Sequence, residues 1–311
     1  MRVVYIAGLG RSGSTLLARL LGQLPGWVSV GELHNLWRTG APGGSAEELC
    51  GCGRSFAECT FWPPVLATAL AGTTAEEAAD LAAATSRIRH VPLLAGPWRP
   101  KRWSRRLERY ADVVGSLYGA AARNGEARVV VDSSKDAGPL WLLTRVPGVD
   151  VSVLHLVRDP RGVAHSWGKR LRRSEFVDRE VWMPSWGPAE TAWRWTYTNL
   201  LAEAAGRRLG ACRRVRYEDL VADPRGTLAA LVRWVDPQAG EGTLPVTGSR
   251  ARFDRTTHTL AGNPMRFESG PVEIRADDAW RRDLPRTSRG IVTALTWPLL
   301  RRYGYPLRVA R

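Results

Sequence analysis

Short apolar runs, each closed by glycine or a polar residue, alternate along this chain with stretches of helical spacing. The run Arg2–Ala7 is rich in β-branched residues and stops at Gly8, which is typical of a buried strand. Leucines then recur every three or four positions from Ser14 to Leu24, which predicts a helix. The chain therefore opens with a strand, a glycine-rich loop and a helix.

Four further apolar runs predict strands, and helical stretches separate most of them. The predicted strands are Trp27–Val30, Arg128–Val131, Val151–Val157 and Arg213–Tyr217. Strands separated by helices favour an α/β fold in which helices cover both faces of a parallel sheet. We expect a three-layer sandwich around a central, mainly parallel sheet.

The length and composition predict one elaborated domain over residues 1–311. A helical, cysteine-containing insert is expected at about 40–125, and a basic, aromatic lid loop at about 169–188. Apolar residues recur at helical spacing late in the insert, which predicts a stripe that faces the core. That stripe consists of Leu107, Tyr110, Ala111, Val114, Leu117, Tyr118 and Ala121.

The charge of the chain favours anionic partners. Its formal net charge is +15 and its pI is about 10.7, mostly from arginine, because Lys101, Lys135 and Lys169 are the only lysines. No apolar stretch reaches the roughly 18 residues that a membrane-spanning helix needs. We therefore expect a cytoplasmic protein without membrane insertion.

Three of the four cysteines, Cys50, Cys52 and Cys59, lie close together in the sequence. A structural zinc site needs about four ligands, so the distant Cys212 or His34 would have to complete one. A reduced or cystine-tied loop is the favoured interpretation, and no metal site is expected.

The first loop has the composition of a phosphate-binding loop. Gly8–Thr15 lies between a predicted strand and a predicted helix, so backbone N–H groups can converge on an anion. The spacing matches the Walker A pattern, but Ser14 stands where that pattern has its lysine. ATP hydrolysis is therefore disfavoured, and Arg11 is the cation available within the loop.

A second candidate anion site begins where the predicted strand Val151–Val157 ends. Its sequence runs from Arg158 through Asp-Pro-Arg-Gly to Ser166. Because the carboxyl ends of parallel strands border the ligand crevice of such sheets, Arg158 and Ser166 are expected to face the ligand of the first loop.

Together, Gly-x-Gly-Arg-Ser-Gly-Ser-Thr at 8–15 and Val-Arg-Asp-Pro-Arg-Gly-x-x-x-Ser at 157–166 resemble the two phosphosulfate-binding elements of the sulfotransferase family. The resemblance is greatest to bacterial small-molecule or carbohydrate sulfotransferases and to protein-tyrosine sulfotransferases. It implies the sulfotransferase fold, with its phosphate loop, and the donor 3′-phosphoadenosine 5′-phosphosulfate, which leaves as 3′,5′-adenosine bisphosphate.

The resemblance also implies roles for individual residues. The 5′-phosphosulfate is assigned to Arg11, Ser12, Gly13, Ser14 and Thr15, and the 3′ phosphate to Arg158 and Ser166. Many cytosolic members have a lysine where this chain has Arg11. The further positions assigned to the donor are Arg170, Tyr217, Gly262, Asn263 and Arg266.

Three residues are the candidates for catalysis. By resemblance, Glu32 is the general base that takes the acceptor proton, and Lys135 binds the sulfuryl or bridging oxygen. Arg11 can stabilise charge on the leaving phosphate, and no metal is required. Ser133 and Ser134 are either donors to the transferred group or caps of a helix start. The acceptor is expected to be a hydroxyl of a small molecule, carbohydrate or natural product.

Two other functions stay open at this point. Asp132 after Val129–Val131 is what a magnesium ligand of a phosphate-loop kinase would look like. The charge and the tryptophans, among them Trp182, Trp186, Trp193 and Trp195, would also suit a nucleic-acid-binding module, although no recognised motif of that class occurs. We expect no nucleic-acid partner, and the same tryptophans are candidates for an acceptor pocket.

Overall fold

The computed structural model of the chain describes residues 1–39, 49–169, 182–239 and 244–308. The strands are β1 (Arg2–Ala7), β2 (Trp27–Gly31), β3 (Val129–Lys135), β4 (Asp150–Val157), β5 (Cys212–Arg216), β6 (Val246–Thr247), β7 (Arg250–Phe253) and β8 (Gly270–Glu273). The helices are α1 (Ser14–Gly22), α2 (Leu36–Thr39), α3 (Trp62–Ala69), α4 (Ala75–Thr85), α5 (Val91–Ala95), α6 (Lys101–Asn124), α7 (Ala137–Leu143), α8 (Pro160–Gly168), α9 (Pro188–Leu209), α10 (Tyr217–Ala222), α11 (Pro224–Val235), α12 (Trp280–Asp283) and α13 (Arg286–Arg302).

Five strands form a parallel sheet in the order β2-β3-β1-β4-β5. Alternate residues of β1 enter different cores: Val3 and Tyr5 pack on one face of the sheet, Val4 and Ile6 on the other. Successive side chains of a strand point to opposite faces of the sheet. Because both sets are buried in a core, both faces of the sheet are covered. The predicted α/β sandwich with a mainly parallel central sheet is confirmed.

The apolar stripe predicted late in the insert is the buried face of α6. All seven of its residues are buried, and α6 packs against α3 and α4. Tyr118 on this face donates its hydroxyl hydrogen to Asp132 Oδ2 at 2.6 Å. The long helix therefore reaches the sheet directly beneath the carboxyl end of β3.

Two features of the sheets differ from the prediction. β3 continues four residues past Val131, because Ala7 of β1 still pairs with Lys135 beyond an irregularity in the register. β6, β7 and β8 form a second, antiparallel sheet that the sequence did not predict. Strands of two to four residues are too short to show a period of two.

Among the helices in the described ranges, none combines the length and the apolar character needed to cross a membrane.

Candidate active site

A cavity of about 920 Å³ lies at the carboxyl edge of the parallel sheet, beside the loops that follow β1, β2, β3 and β4. Ligands of open α/β sheets bind at this edge, so the cavity is where the predicted anion loops should meet. Eleven residues predicted from the sequence line it: Arg11, Gly13, Ser14, Thr15, Glu32, Lys135, Arg158, Ser166, Tyr217, Gly262 and Asn263.

The first loop turns sharply so that α1 begins at the cavity wall. Gly13 precedes α1 with φ 90°, and a Cβ there would lie 2.6 Å from Cδ2 of Tyr217. No side chain in the described ranges caps α1, and the amides of a first helical turn have no partner within the helix. This helix start can therefore donate hydrogen bonds to an anion.

Arg11 and Ser12 occupy different places in the loop. Arg11 lines the cavity, its guanidinium lies 5.1 Å from the ring centroid of Trp167, and burial lowers its pKa while the charge of Glu32 opposes that effect. Ser12 is 2% exposed and does not line the cavity, but its buried Oγ has no hydrogen-bond partner within the described ranges. A buried hydroxyl without a partner is costly unless a ligand satisfies it.

The second loop contacts the first directly. Arg158 donates from Nη1 to the carbonyl oxygen of Arg11 at 3.0 Å, and from Nη2 to Asp277 Oδ2 at 3.0 Å. Its guanidinium also stacks on Tyr217, 4.6 Å from the ring centroid. Ser166 lines the same cavity from α8. The structure therefore brings the two predicted anion loops to one site.

The two arginines of the second loop have different surroundings. Arg161 is fully buried and binds Asp159 through two hydrogen bonds, Nε to Oδ1 at 2.8 Å and Nη2 to Oδ2 at 2.6 Å. It also donates to the carbonyl oxygens of Pro306 and Leu307. Arg161 therefore fastens the start of α8 to the C-terminal segment, and Arg158 is the arginine of this loop that lines the cavity.

Glu32 and Lys135 form an ion pair on the cavity wall. Lys135 Nζ lies 2.5 Å from Glu32 Oε1, and Asn35 Nδ2 donates to Glu32 Oε2 at 3.1 Å. Burial acts to raise the pKa of Glu32, but the charges of Lys135 and His34 and the hydrogen bond from Lys135 outweigh it, so this pKa lies below its ordinary value. The carboxylate is therefore ionised, and both of its oxygens are held in place.

Backbone strain is concentrated at the cavity. Four non-glycine residues of the described chain have positive φ, and three of them, Arg11 at 71°, Lys135 at 67° and Ala261 at 53°, line the cavity. Such conformations each cost about 1–3 kcal/mol and are found mainly at functional sites. They place the side chains of Arg11 and Lys135 in positions that a relaxed backbone would not give.

The segment with the predicted residues Gly262 and Asn263 lines the cavity beside Glu32. Asn263 N donates to Thr15 Oγ1 at 3.3 Å, and a Cβ at Gly262 would lie 3.7 Å from Glu32 Oε1. Arg266 is outside the wall: it is 2% exposed and donates from Nη2 to the carbonyl oxygen of Leu49 at 3.0 Å. Its charge nevertheless acts on Glu32, because it lowers the pKa of that carboxyl.

Comparison with known proteins agrees with this geometry. Residues 146–238, which include Arg158, Ser166 and Tyr217, match the sequence model of the sulfotransferase family. Over these residues the chain is similar to the sulfotransferase family. The match covers less than a third of the chain and does not reach the first loop, Glu32 or Lys135. The similarity therefore leaves the roles of those residues open.

The fold is similar to that of one solved structure over nearly the whole chain, and two further structures match less closely. The sulfotransferase domain of the Synechococcus PCC 7002 olefin synthase is 21% identical, with a TM-score of 0.53 over 98% of this chain and 96% of that one. A sulfotransferase from Alicyclobacillus acidocaldarius is 13% identical, with a TM-score of 0.42 over 96% and 92%. One from Mycobacterium tuberculosis is 18% identical, with a TM-score of 0.38 over 75% and 67%. None of the curated protein sequences matches the chain.

Arginine and lysine outnumber carboxylates on the cavity wall. In the described part of the chain seven cationic side chains line it, against four acidic ones. The cationic residues are Arg11, Arg38, Lys135, Arg158, Lys169, Arg194 and Arg275; the acidic ones are Glu32, Asp136, Glu273 and Asp277. A cleft with this excess of positive charge favours anionic ligands.

Several cavity residues were not predicted from the sequence. Asp277 pairs with Arg158, and Asn35 orients Glu32. Trp167 donates from Nε1 to the carbonyl oxygen of Gly10 at 3.1 Å and stacks on Trp186 with ring centroids 3.6 Å apart. Trp167 follows Ser166 directly, so its place beside the second motif was the one available signal.

Other predicted residues lie away from the cavity or outside the described part of the chain. Arg170, and with it residues 170–181 of the predicted lid, are not among the described residues. Asp132 does not line the cavity, because its carboxylate accepts hydrogen bonds from Tyr118 and from the amide of Ser134; burial raises its pKa. Ser134 Oγ in turn accepts from the amide of His34 at 3.1 Å.

Neither Cys212 nor His34, the residues that a zinc site would have needed by sequence, lies beside the three cysteines. His258 lies beside Cys50 and Cys59, with Nδ1 at 3.8 and 3.2 Å from their sulfur atoms. His34 instead lies on the cavity wall, 3.7 Å from Asp136, and Cys212 begins β5, the opposite edge strand of the sheet from β2.

Proposed function

We propose that this protein is a sulfotransferase that transfers a sulfuryl group from 3′-phosphoadenosine 5′-phosphosulfate to a hydroxyl of a small-molecule or carbohydrate acceptor. The proposal rests mainly on one observation, the 3.0 Å hydrogen bond from Arg158 to the carbonyl oxygen of Arg11. It means that two separate anion loops border one cavity. A nucleotide with phosphates at both its 5′ and 3′ positions is a ligand that needs two such loops.

The first loop suits the 5′-phosphosulfate end of this donor. The start of α1 offers unpaired amides, and Arg11 adds a cation at the same wall. The partnerless Oγ of Ser12 offers a further donor within the loop. We assign Arg11, Ser12, Gly13, Ser14 and Thr15 to this group, as the family resemblance implies.

The second loop suits the 3′ phosphate. Arg158 now shares its guanidinium with Asp277, whose pKa is lowered because hydrogen bonding and charge from Arg158 outweigh its burial. An arginine held in place by a carboxylate and stacked on Tyr217 is pre-oriented for an oxyanion. Ser166 adds a hydroxyl beside it.

The ion pair of Glu32 and Lys135 suits the transfer step. A bond forms between the acceptor oxygen and sulfur while the bond between sulfur and the bridging phosphate oxygen breaks, and the acceptor proton moves to Glu32. Lys135 and Arg11 stabilise the charge that develops on the leaving oxygen. None of these steps requires a metal ion.

Lys135 also sets the base strength of Glu32. While Lys135 contacts Glu32, its charge holds the pKa of the carboxyl down, which makes Glu32 a weak base. A lysine drawn toward the leaving oxygen leaves Glu32 with less positive charge nearby. The carboxylate then becomes a stronger base at the stage at which the acceptor proton must be removed.

Aromatic side chains suit a planar acceptor. Trp167 and Trp186 stack at one side of the cavity, and the guanidinium of Arg194 lies 4.3 Å from the ring centroid of Trp186. Tyr197 also lines the wall. A sugar face or a phenol packs well on such rings. Trp195, by contrast, is fully buried, so it is a core residue.

The kinase alternative loses its main support in the structure. The carboxylate of Asp132 faces Tyr118 and not the cavity, and Ser14 replaces the lysine of the Walker A pattern. A reaction that continues in EDTA would agree with sulfuryl transfer, whereas a kinase should stop.

Calorimetric titration with 3′,5′-adenosine bisphosphate and with ADP tests the donor assignment. We expect a strong preference for the bisphosphate in the wild type. In Arg158→Ala the bisphosphate should bind about 10- to 100-fold more weakly, because one charge-assisted hydrogen-bonding group is worth about 1.5–3 kcal/mol. ADP should lose little, since it lacks the 3′ phosphate.

Arg105→Ala is the matched control, because Arg105 is an exposed arginine on α6. It should leave both affinities unchanged. Equal affinity of the wild type for the bisphosphate and ADP would contradict the proposed donor, and so would equal losses of both ligands in Arg158→Ala.

A further inference from the structure

Four potential metal ligands meet outside the cavity. The sulfur atoms of Cys50, Cys52 and Cys59 and a ring nitrogen of His258 all lie within 4.8 Å of one another. Cys59 Sγ is 3.6 Å from Cys50 Sγ, 3.8 Å from Cys52 Sγ and 3.2 Å from His258 Nδ1. The cluster joins two parts of the chain, because His258 follows Cys59 by 199 positions.

These separations are those of ligands around one tetrahedral ion. With Zn–S of about 2.3 Å and Zn–N of about 2.05 Å, tetrahedral angles place two sulfur atoms about 3.8 Å apart and a sulfur and a nitrogen about 3.6 Å apart. The measured separations of 3.6 and 3.8 Å between sulfurs, and of 3.2 and 3.8 Å between sulfur and nitrogen, lie close to both values.

The surroundings hold the ligands in place. Cys50 and Cys59 are at most 1% exposed, and the ring of His258 stacks on Phe61 with centroids 5.0 Å apart and planes 8° apart. Gly51 has no room for a side chain, since a Cβ there would lie 2.4 Å from Thr259 Oγ1. The backbone of the cysteine turn therefore packs closely against the segment that carries His258.

We propose that Cys50, Cys52, Cys59 and His258 bind one structural zinc ion. Three thiolates and one imidazole form a donor set that zinc favours over hard cations such as magnesium or calcium. All four positions are filled by the protein, so no position is open for water or substrate, and the ion has a structural role. This site does not depend on the proposed sulfuryl transfer.

The zinc fixes the insert to the loop that closes the candidate active site. Gly51 N donates to the carbonyl oxygen of Thr259 at 2.9 Å, and Trp62 Nε1 donates to that of His258 at 3.0 Å. Leu260, two residues beyond His258, accepts from Glu32 N at 2.7 Å. Loss of the metal should therefore loosen the backbone partner of Glu32 and the neighbouring segment with Gly262 and Asn263.

A disulfide is the competing state of the same cysteines. The sulfur atoms are 3.6 and 3.8 Å apart, against about 2.05 Å for a bonded pair. Small movements could bond one pair and leave the third thiol free, which would remove two of the four ligands.

Metal analysis of the full-length protein tests the site. The chain is produced with zinc in the medium, purified without chelators, and its zinc content is measured by plasma mass spectrometry. We expect about one zinc per chain in the wild type and a loss of at least five-fold in Cys59→Ser and His258→Asn. Cys212→Ser, which removes the exposed cysteine outside the cluster, should keep the full content.

Two measurements on the wild type keep the test valid if the variants do not fold. Cobalt replacement should give the visible absorption bands of a tetrahedral site with thiolate ligands. Denaturation in a chelator should release the ion and free four thiols per chain. The proposal would be overturned if the wild type contained only a trace of zinc or released two fewer thiols than expected. A full zinc content in Cys59→Ser would overturn it as well.

Discussion

Replacement of Glu32 by glutamine removes the proposed base with little change in shape. Glutamine can still accept a hydrogen bond from Lys135, which is 2.5 Å from Oε1 in the wild type, but it cannot take the acceptor proton. A general base in hydrogen-bond reach of the reacting hydroxyl contributes about 10² to 10⁴ in rate. We expect kcat of Glu32→Gln to fall by this factor, equivalent to about 3–5 kcal/mol of barrier.

The assay follows transfer of label from ³⁵S-labelled donor to the first phenol or sugar that the wild type accepts. Affinity for 3′,5′-adenosine bisphosphate is measured alongside and should change by less than about three-fold, because Glu32 faces the acceptor proton and not a phosphate. A loss in kcat without a loss of product affinity separates a base from a residue that merely shapes the pocket.

The pH profile provides a second readout. In the free protein the pKa of Glu32 lies below its ordinary value of 4.5, and the ionised form is the active one. Wild-type kcat/KM, which reports the free protein, should therefore decline only when the pH falls below that value. Glu108→Gln, which changes an exposed carboxylate on α6, is the matched control and should retain wild-type kcat. A Glu32→Gln variant within three-fold of wild-type kcat would refute the assignment of the base.

Two further substitutions test the first loop and the core. Gly13→Ala should weaken binding of the bisphosphate at least ten-fold in calorimetry, because residue 13 has a φ of 90° and a Cβ there would lie 2.6 Å from Tyr217. Gly290→Ala is the control: its Cβ would enter open space on α13, so the affinity should not change. Burial lowers the pKa of His155 from 6.5 to about 4, so protonation of the unfolded chain should reduce stability by about 3 kcal/mol as the pH falls through that range. His155→Gln should lose most of this pH dependence in denaturant titrations, and an unchanged slope would contradict the buried neutral imidazole.

Local patterns predicted the elements that build the sheet. β1 has the predicted bounds, and α1, β2, β4 and β5 each differ by one or two residues, because apolar runs closed by glycine or charge are local signals. The position of the cavity followed from the same elements, since parallel strands end at one edge. The antiparallel sheet of β6, β7 and β8 was missed because its strands are too short to show a pattern.

Pairings between distant residues could not be predicted in the same way. Glu32 and Lys135 meet because β2 and β3 are neighbours in the sheet. The local sequence of a strand does not reveal which other strand it pairs with. Asp277 carries no motif that would link it with Arg158. His258 was not among the residues considered as partners of the cysteines, and its place beside Cys59 depends on packing across 199 positions.

The sequence from Arg158 to Ser166 also did not reveal which of its arginines would reach the cavity. Arg158 and Arg161 are both arginines at the start of α8, yet Arg158 lines the cavity and Arg161 is buried against Asp159. The difference arises from which partners each guanidinium finds in the folded chain.

A crystal structure of the protein with 3′,5′-adenosine bisphosphate tests the central claim most directly. The account predicts the 5′ phosphate on the amides at the start of α1 with Arg11, and the 3′ phosphate of the same molecule on Arg158 and Ser166. A nucleotide bound to only one of these loops, with its other phosphate in solvent or in a different cleft, would contradict it.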